Sequence, residues 1–311
     1  MHVFVVIPIH NHVNETLRCL ADLQAQSYAD HSVIVVDGGS TDGSANQIAS
    51  RFPTVTLLRG DSSLWWTGAT EMGIQDARAQ AKASDFVLFL NNDTRVDACY
   101  LDEIVKASVS HERAVTGSLN VNLGQPDVII DSGVYWDWAA VQSRQVSVDT
   151  GATSSDRVNT LSGRGMLVPV EVFDRIGTLD VKGLPHYAAD YEFSMRAANA
   201  GLKLAIAYKA VVRVDTTISG REEALATPLR LREAWFLLFS RRSMRNVFDR
   251  MRLVSRACPR RYRLRNYLAL WAAAFWLLTN VPPFFQAKNF LARTLLPLRL
   301  KDWMRHRKLI A

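Results

Sequence analysis

Residues 86–96 read FVLFLNNDTRV. Phe86 to Leu90 is a short run, apolar on every side, and it predicts a strand buried on both faces of a sheet. The run stops on Asn91, Asn92 and Asp93, residue types that form turns by bonding their own backbone. A structural turn is one reading. The other places Asp93 at the carboxyl edge of a parallel sheet, where ligands of such sheets bind. There it would be an oxygen ligand for Mg2+ or Mn2+ carried on a substrate phosphate, with Asn91 or Asn92 adding hydrogen bonds.

Working outward, the same alternation recurs upstream. VFVVIPI (3–9), SVIVVD (32–37) and VTLLRG (55–60) are strand-like runs. Helical spacing covers Asn14–Gln26, Ser44–Arg51, Gly68–Lys82 and, after the quoted stretch, Tyr100–Ser110. Strands alternating with helices predict an α/β fold with a mostly parallel sheet built from βαβ units. From about 114 to 160 the pattern gives way to short mixed strands and a variable loop. A strand over Leu161–Val168, helices over Val170–Ile176 and Ala188–Ala200, and two strands, KLAIAY and AVVRVD, follow. Gly201 suits the residue after a helix end.

Carboxylates mark several of these ends. Asp37 closes SVIVVD ahead of Gly38 and Gly39, either as a turn residue or as an acceptor for a base or ribose. The GxGxxG fingerprint of a nicotinamide site is absent. Asp190 and Glu192 open a helix, whose dipole favours negative charge. Two residues apart, they face different ways: either both are ordinary acids of a helix start, or one enters a cleft as a general base while the other caps or pairs.

The 311 residues are 48% hydrophobic and 22% charged, which excludes a disordered chain. Three scattered cysteines give neither a zinc spacing nor a disulfide framework. MHVFVVIPIHNH lacks the features of a signal peptide and reads as the first strand. Charge is asymmetric. From Arg241 onward the chain holds 17 Lys/Arg and two Asp/Glu, so the net +7 leaves residues 1–240 at −8. A basic tail predicts a polyanionic partner. With no helix-turn-helix or zinc-finger pattern, an anionic membrane surface is expected rather than nucleic acid. YLALWAAAFWLLTNVPPFF (267–285) is uncharged but its apolar part is short for a span, and Pro282-Pro283 ends it. Interleaved Arg, Trp and Phe suit an interfacial helix; a packed core, an oligomer contact or a true span are the other readings.

Taken in order, VVIPIHN, VIVVDGGSTDGS, LWWTGATEMGI, FLNNDT, SGRGMLVPVEVFDRIGTLD and ADYEFSMRAANAGLKL resemble glycosyltransferase family 2, the inverting enzymes of GT-A fold. The resemblance spans roughly residues 1–220. It implies a Rossmann-like, mostly parallel sheet flanked by helices in a domain over 1–225, and the charge and aromatic pattern makes 226–311 a basic, helical membrane-association tail. It also implies a nucleotide-diphospho-sugar donor, a divalent cation (Mg2+ or Mn2+) and a single inverting displacement. By position, Pro8, Ile9 and Asp37 would bind the nucleotide, and Asn92 and Asp93 the diphosphate and metal. Gly163 and Arg164 would lie beside the donor, with Asp190 the catalytic base. Trp65, Trp66 and Glu192 would contact sugar, the tryptophans either stacking or merely packing. The motifs depart from the family's: Asn91-Asn92-Asp93 has one carboxylate, Ala189-Asp190 lacks a glutamate, and Glu71 stands where asparagine is common. Asp215 lies where a histidine is usual and is a candidate metal ligand.

The LWWTGA stretch is similar to O-antigen and capsule rhamnosyl- and galactosyltransferases. That implies dTDP-rhamnose or a UDP-sugar as donor, a lipid-linked glycan as acceptor, and action at the cytoplasmic face of the inner membrane. The alternatives are a catalytically degenerate scaffold or polyanion-binding protein, and a sugar nucleotidyltransferase. The latter would carry a Gly-rich, basic loop that IPIHNHVNET lacks.

Overall fold

The computed structural model describes residues 1–216, 229–279 and 281. The chain divides into two compact units, Met1–Gly220 and Arg221–Ala311. The boundary expected at 225–226, Pro282-Pro283 and everything beyond them lie outside the described residues.

The first unit runs β1 (Val3–Ile9), α1 (Val13–Gln24), β2 (His31–Asp37), α2 (Ser44–Arg51), β3 (Thr56–Arg59), α3 (Trp65–Gln80), β4 (Phe86–Phe89), β5 (Thr94–Val96) and α4 (Tyr100–Ser110). It continues through β6 (Val115–Asn122), β7 (Ile129–Asp131), β8 (Val134–Asp137), β9 (Gln142–Gln145), β10 (Ser154–Ser155) and β11 (Met166–Pro169). It ends with α5 (Val170–Ile176), α6 (Ala189–Asn199) and β12 (Leu204–Val214).

One sheet has the order β10-β12-β6-β11-β4-β1-β2-β3, with β5 added to β12 and β7 to β6. β3, β2, β1 and β4 are parallel neighbours, as are β6 and β12. β11 runs antiparallel to both β4 and β6. Because it runs backwards, β11 enters the sheet where β4 leaves it. The loop before β11 therefore lies beside Asn91–Asp93.

Both sheet faces are covered, which explains the unbroken apolar runs. Val3, Val5, Ile7 and Ile9 of β1 pack with Leu17, Leu20 and Leu23 of α1 and with Leu101 and Ile104 of α4. Phe4 and Val6 point the other way, toward Ile74 and Ala77 of α3, Phe173 of α5 and Phe193 of α6. Each fully buried aliphatic of this kind contributes roughly 1.5–3 kcal/mol.

The two strands expected over 203–215 are one. β12 pairs with β6 along its length, with a register shift between Ala207 and Val211 where the two apolar runs meet. The strand expected from Leu161 begins only at Met166, because 161–165 form a loop at the sheet edge.

The second unit contains α7 (Leu231–Phe239), α8 (Val247–Ala257) and α9 (Arg263–Leu278). Ala234, Leu237 and Leu238 of α7 share a small core with Val247, Ala274 and Leu277. Asn246 caps α8, its Oδ1 accepting from the amides of Phe248 (2.9 Å) and Asp249 (3.2 Å). Among the described residues no helix is long and apolar enough to cross a membrane.

Candidate active site

The carboxyl ends of β1, β2 and β4 share one edge of the sheet. Pro8 pairs with Val36 and Ile9 with Asp37 in parallel register, bringing together the residues expected at a nucleotide. Asp37 is buried, and its Oδ1 accepts from the Ser40 amide at 2.8 Å. The turns after β1 and β2 are laced to each other. The Gly38 amide donates to Ile9 O (2.9 Å), the Thr41 amide to Asn11 Oδ1 (2.9 Å) and the Val13 amide to Asp42 Oδ2 (2.9 Å). Asp42 is thus a turn residue that also receives the start of α1.

After β4 the two asparagine side chains are committed to the scaffold. The Trp66 indole N–H donates to Asn91 Oδ1 at 3.0 Å, and Asn92 Nδ2 donates to Thr16 Oγ1 on the first turn of α1 at 2.9 Å. Asp93 differs. Its Oδ1 is buried and accepts no hydrogen bond. Burial pushes its carboxyl above the ordinary range, opposed by the charges of Arg164 and His12 and reinforced by Asp215. Asp215 arrives through the antiparallel pairing of β5 with β12: Thr94 sits opposite Val214, so the two aspartates leave the same end of the ladder.

A buried carboxylate oxygen without a donor fits a cation. The described residues contain no group of three or more His, Cys, Asp or Glu side chains that could hold one. A cation there would be held by Asp93, with Asp215 opposite, and substrate phosphates would have to complete the shell, a common arrangement for Mg2+.

The loop Ser162-Gly163-Arg164-Gly165 connects three carboxylates. The Ser162 side chain favours the ionised form of Asp131. The Gly163 amide donates to Asp190 Oδ2 at 2.7 Å. The positive charge of Arg164 acts on Asp93, Asp131 and Asp190 alike, and among the described residues its guanidinium forms no hydrogen bond or ion pair. Asp190, in the first turn of α6, also accepts from the Tyr191 amide at 2.9 Å. Burial raises its carboxyl; the two amides and Arg164 oppose that rise, and Asp131 adds to it.

Two glycines make the loop possible. Gly165 has φ +87°, and a Cβ there would lie 2.4 Å from Ser118 Oγ and 2.7 Å from the Tyr100 hydroxyl. Its amide instead bonds Phe89 O at 2.9 Å, holding the loop to the end of β4. A Cβ on Gly163 would lie 2.7 Å from the Trp66 ring.

Trp66 therefore packs, wedged between Asn91 and Gly163. Trp65 has φ +51°, a strained conformation for a bulky residue, and its ring lies 5.3 Å from that of His186. The expected sugar contact by Glu192 is corrected. Its side chain is fully buried and gripped at both oxygens by Arg196, through Nε and Nη2 at 2.9 Å each. Arg196 also donates to Thr178 O at 2.7 Å, so the pair fastens α6 to the segment after α5. A sugar cannot reach it.

Asp131 is the residue that sequence reasoning missed. It ends β7, opposite Asn120 of β6, with its Oδ1 accepting from the Gly133 amide at 2.8 Å. Burial raises its carboxyl, while Arg164 and its hydrogen bonds pull it down. The signal was readable: Val128-Ile129-Ile130-Asp131 is another apolar run that ends in aspartate, as at Asp37.

This architecture occurs in solved structures. The chain superposes on "Crystal structure of GalNAc-T7 with UDP, GalNAc and Mn2+" with a TM-score of 0.58 at 15% identity, covering 91% of this chain and 58% of that one. It superposes on Staphylococcus aureus TarS residues 1–349 with a TM-score of 0.54 at 14% identity, covering 98% and 78%. Both likenesses are of fold, and that fold is GT-A. Among curated sequences, glycosyltransferase AglE of Haloferax volcanii is 23% identical over 218 residues, 67% of this chain and 65% of that protein. Glycosyltransferase GlyA of Streptococcus pneumoniae is 24% identical over 111 residues, 35% of this chain and 15% of that protein. A sequence profile for "Glycosyltransferase like family 2" matches residues 2–237, and on that match the chain belongs to this family.

Proposed function

We propose that the chain transfers a sugar, with inversion, from a nucleotide-diphospho-sugar to a hydroxyl of a lipid-linked glycan. The observation that carries this is the convergence of Asp93, Asp131 and Asp190 on the loop 162–165 at the sheet's carboxyl edge, with the Arg164 charge common to all three. Rhamnose or galactose is the favoured sugar, from dTDP-rhamnose or a UDP-sugar, and the LWWTGA stretch supports that choice. The work proposed is assembly of a bacterial surface polysaccharide, O-antigen or capsule, at the cytoplasmic face of the inner membrane with the chain peripheral to it.

In this reading Asp37 and the turns around Ile9 hold the nucleoside, and Asp190 takes the proton from the acceptor hydroxyl. The freed oxygen forms a bond to the anomeric carbon as the bond from that carbon to the diphosphate oxygen breaks. The Gly163 and Tyr191 amides hold the Asp190 carboxylate in one orientation for that transfer. Arg164 offsets charge developing on the leaving diphosphate. A divalent cation held by Asp93, with Asp215 opposite, would supply further neutralisation when bound. In this reading Asp190 serves as base and no carboxylate attacks the anomeric carbon, so the displacement is a single inverting step.

The test is release of nucleoside diphosphate from a panel of nucleotide-sugars by the full chain supplied with bacterial membrane lipid extract. One donor should turn over, and Asp190→Asn should slow it by at least about 100-fold with donor binding retained. A variant as active as the wild type would overturn Asp190 as the base, and binding of a donor with no turnover would leave a catalytically degenerate scaffold as the reading.

A further inference from the structure

The second unit carries an apolar face that its own core does not use. On α9, Leu264, Leu268, Trp271, Phe275 and Leu278 are spaced four, three, four and three residues apart, so they form one stripe. They are 37–72% exposed, while Asn266, Ala274 and Leu277 on the other side of the helix are buried. Exposed aromatics continue on the other two helices. Trp235 of α7 packs at a tilt against Phe239 (centroids 4.4 Å apart), and Phe239 meets Phe248 of α8 (6.0 Å). Trp235 and Phe248 are both more than half exposed.

Charge identifies what such a face meets. Arg260, Arg261, Arg263 and Arg265 gather at the start of α9, and no acidic residue occurs from Arg250 to Val281. Arg260, Arg261 and Arg265 are exposed. A protein partner matching this surface would need both a greasy groove and a dense acidic rim. An anionic bilayer supplies acyl chains and head groups at the required depths, and Trp and Arg are the side chains that favour that boundary. At 1.5 Å per residue, the 16 residues of α9 extend about 24 Å, short of a hydrocarbon core of about 30 Å.

We infer that the second unit docks on anionic phospholipid with α9 lying in the plane of the interface, its Leu264–Leu278 stripe inserted and its leading arginines on head groups. This deepens the proposed reading by stating how the chain meets a lipid-borne acceptor. It depends on none of the site residues, so Asp190→Asn should bind vesicles as the wild type does even if no sugar transfer is ever found.

The experiment is co-sedimentation of the full chain with vesicles of phosphatidylcholine alone or with 30% phosphatidylglycerol. Two variants accompany it, Leu268→Ser with Phe275→Ser, and Arg260→Gln with Arg261→Gln and Arg265→Gln. All five positions are exposed, so melting temperatures should match the wild type. Partitioning should be at least tenfold stronger on the anionic vesicles, and each variant should lose at least tenfold. Salt at 0.5 M should weaken the wild type and leave the arginine variant little changed. Absence of vesicle binding, or apolar variants that bind like the wild type, overturns the inference. So does a dimer mass in lipid-free solution that the Leu268 and Phe275 changes abolish, which would assign the face to a second copy of the chain.

Discussion

Gly163→Ala concentrates the account into one methyl group. The added Cβ would stand 2.7 Å from Cη2 and Cζ2 of Trp66 and 3.3 Å from the Asp190 Cβ, where carbon contacts settle near 3.5–4.0 Å. Something must open by about 1 Å. Trp66 resists, because its indole N–H is bonded to Asn91 at 3.0 Å and its ring packs against the core. The loop is the softer side, and moving it pulls the Gly163 amide away from Asp190 Oδ2, now 2.7 Å distant. Gly163 does not have a positive φ, so the effect is steric rather than conformational. Overpacking of this kind costs about 1–3 kcal/mol, read as a melting temperature lower by about 2–4 °C per kcal/mol for a unit of this size. The displaced amide no longer holds the Asp190 carboxylate in line, and a misplacement of about 1 Å costs up to about 100-fold in rate. Calorimetry and diphosphate release measure the two separately. Trp66→Phe removes the clashing ring edge, so the double variant should recover stability relative to the sum of the singles, with a coupling of about 0.5–3 kcal/mol. A Gly163→Ala protein with the wild-type melting temperature and rate would refute the packing argument.

Other outcomes follow from the same geometry. Asp131 helps raise the Asp190 carboxyl, so Asp131→Asn should move the acid limb of kcat/KM to lower pH, as a pH–rate profile would show. Asp131 itself is raised, chiefly by burial, so its ionised form weighs against the fold. That penalty is absent below the ordinary carboxylate pKa and grows as pH rises toward the elevated one. The melting-temperature gain of Asp131→Asn should therefore appear at neutral pH and vanish in acid. Glu192→Gln should lower stability by about 3–5 kcal/mol, by breaking a buried pair, while acceptor KM in the surviving enzyme stays put. Ala188→Gly relieves a φ of +66° at the cap of α6 and should raise stability by roughly 0.5–1 kcal/mol in a denaturant titration.

What could be read in the sequence was what local pattern controls. Phe86–Leu90 announced a doubly buried strand because both faces of β4 are covered, and the aspartates at 37 and 93 announced themselves by ending such runs. What could not be read depends on pairing between distant segments. Asp131 also ends an apolar run, but its place in the site follows only from β7 lying on β6, beside the loop that β11's reversed direction carries to the same edge. The Ser162-Gly163 pair and Gly165 are local loop signals over 161–165, and the reason for the loop appears only when Gly165 is seen against Ser118 and Tyr100. Glu192 is the opposite case. Its partner Arg196 stands four residues on, a helical ion pair visible in the sequence, and that spacing outweighs the inference from Asp190 two residues earlier.

We propose that Asp93 lies in a nucleotide-diphosphate pocket completed by a cation. The most direct test is thermal-shift binding of UDP, dTDP, GDP and their sugars, each with Mn2+, Mg2+ or EDTA. At a ligand concentration of about 100 times Kd, stabilisation should be near 2.7 kcal/mol. A cation-dependent shift for one nucleotide, lost in Asp93→Ala, is the expected result. A folded protein that shifts with none of them, or whose shift survives Asp93→Ala unchanged, would contradict it.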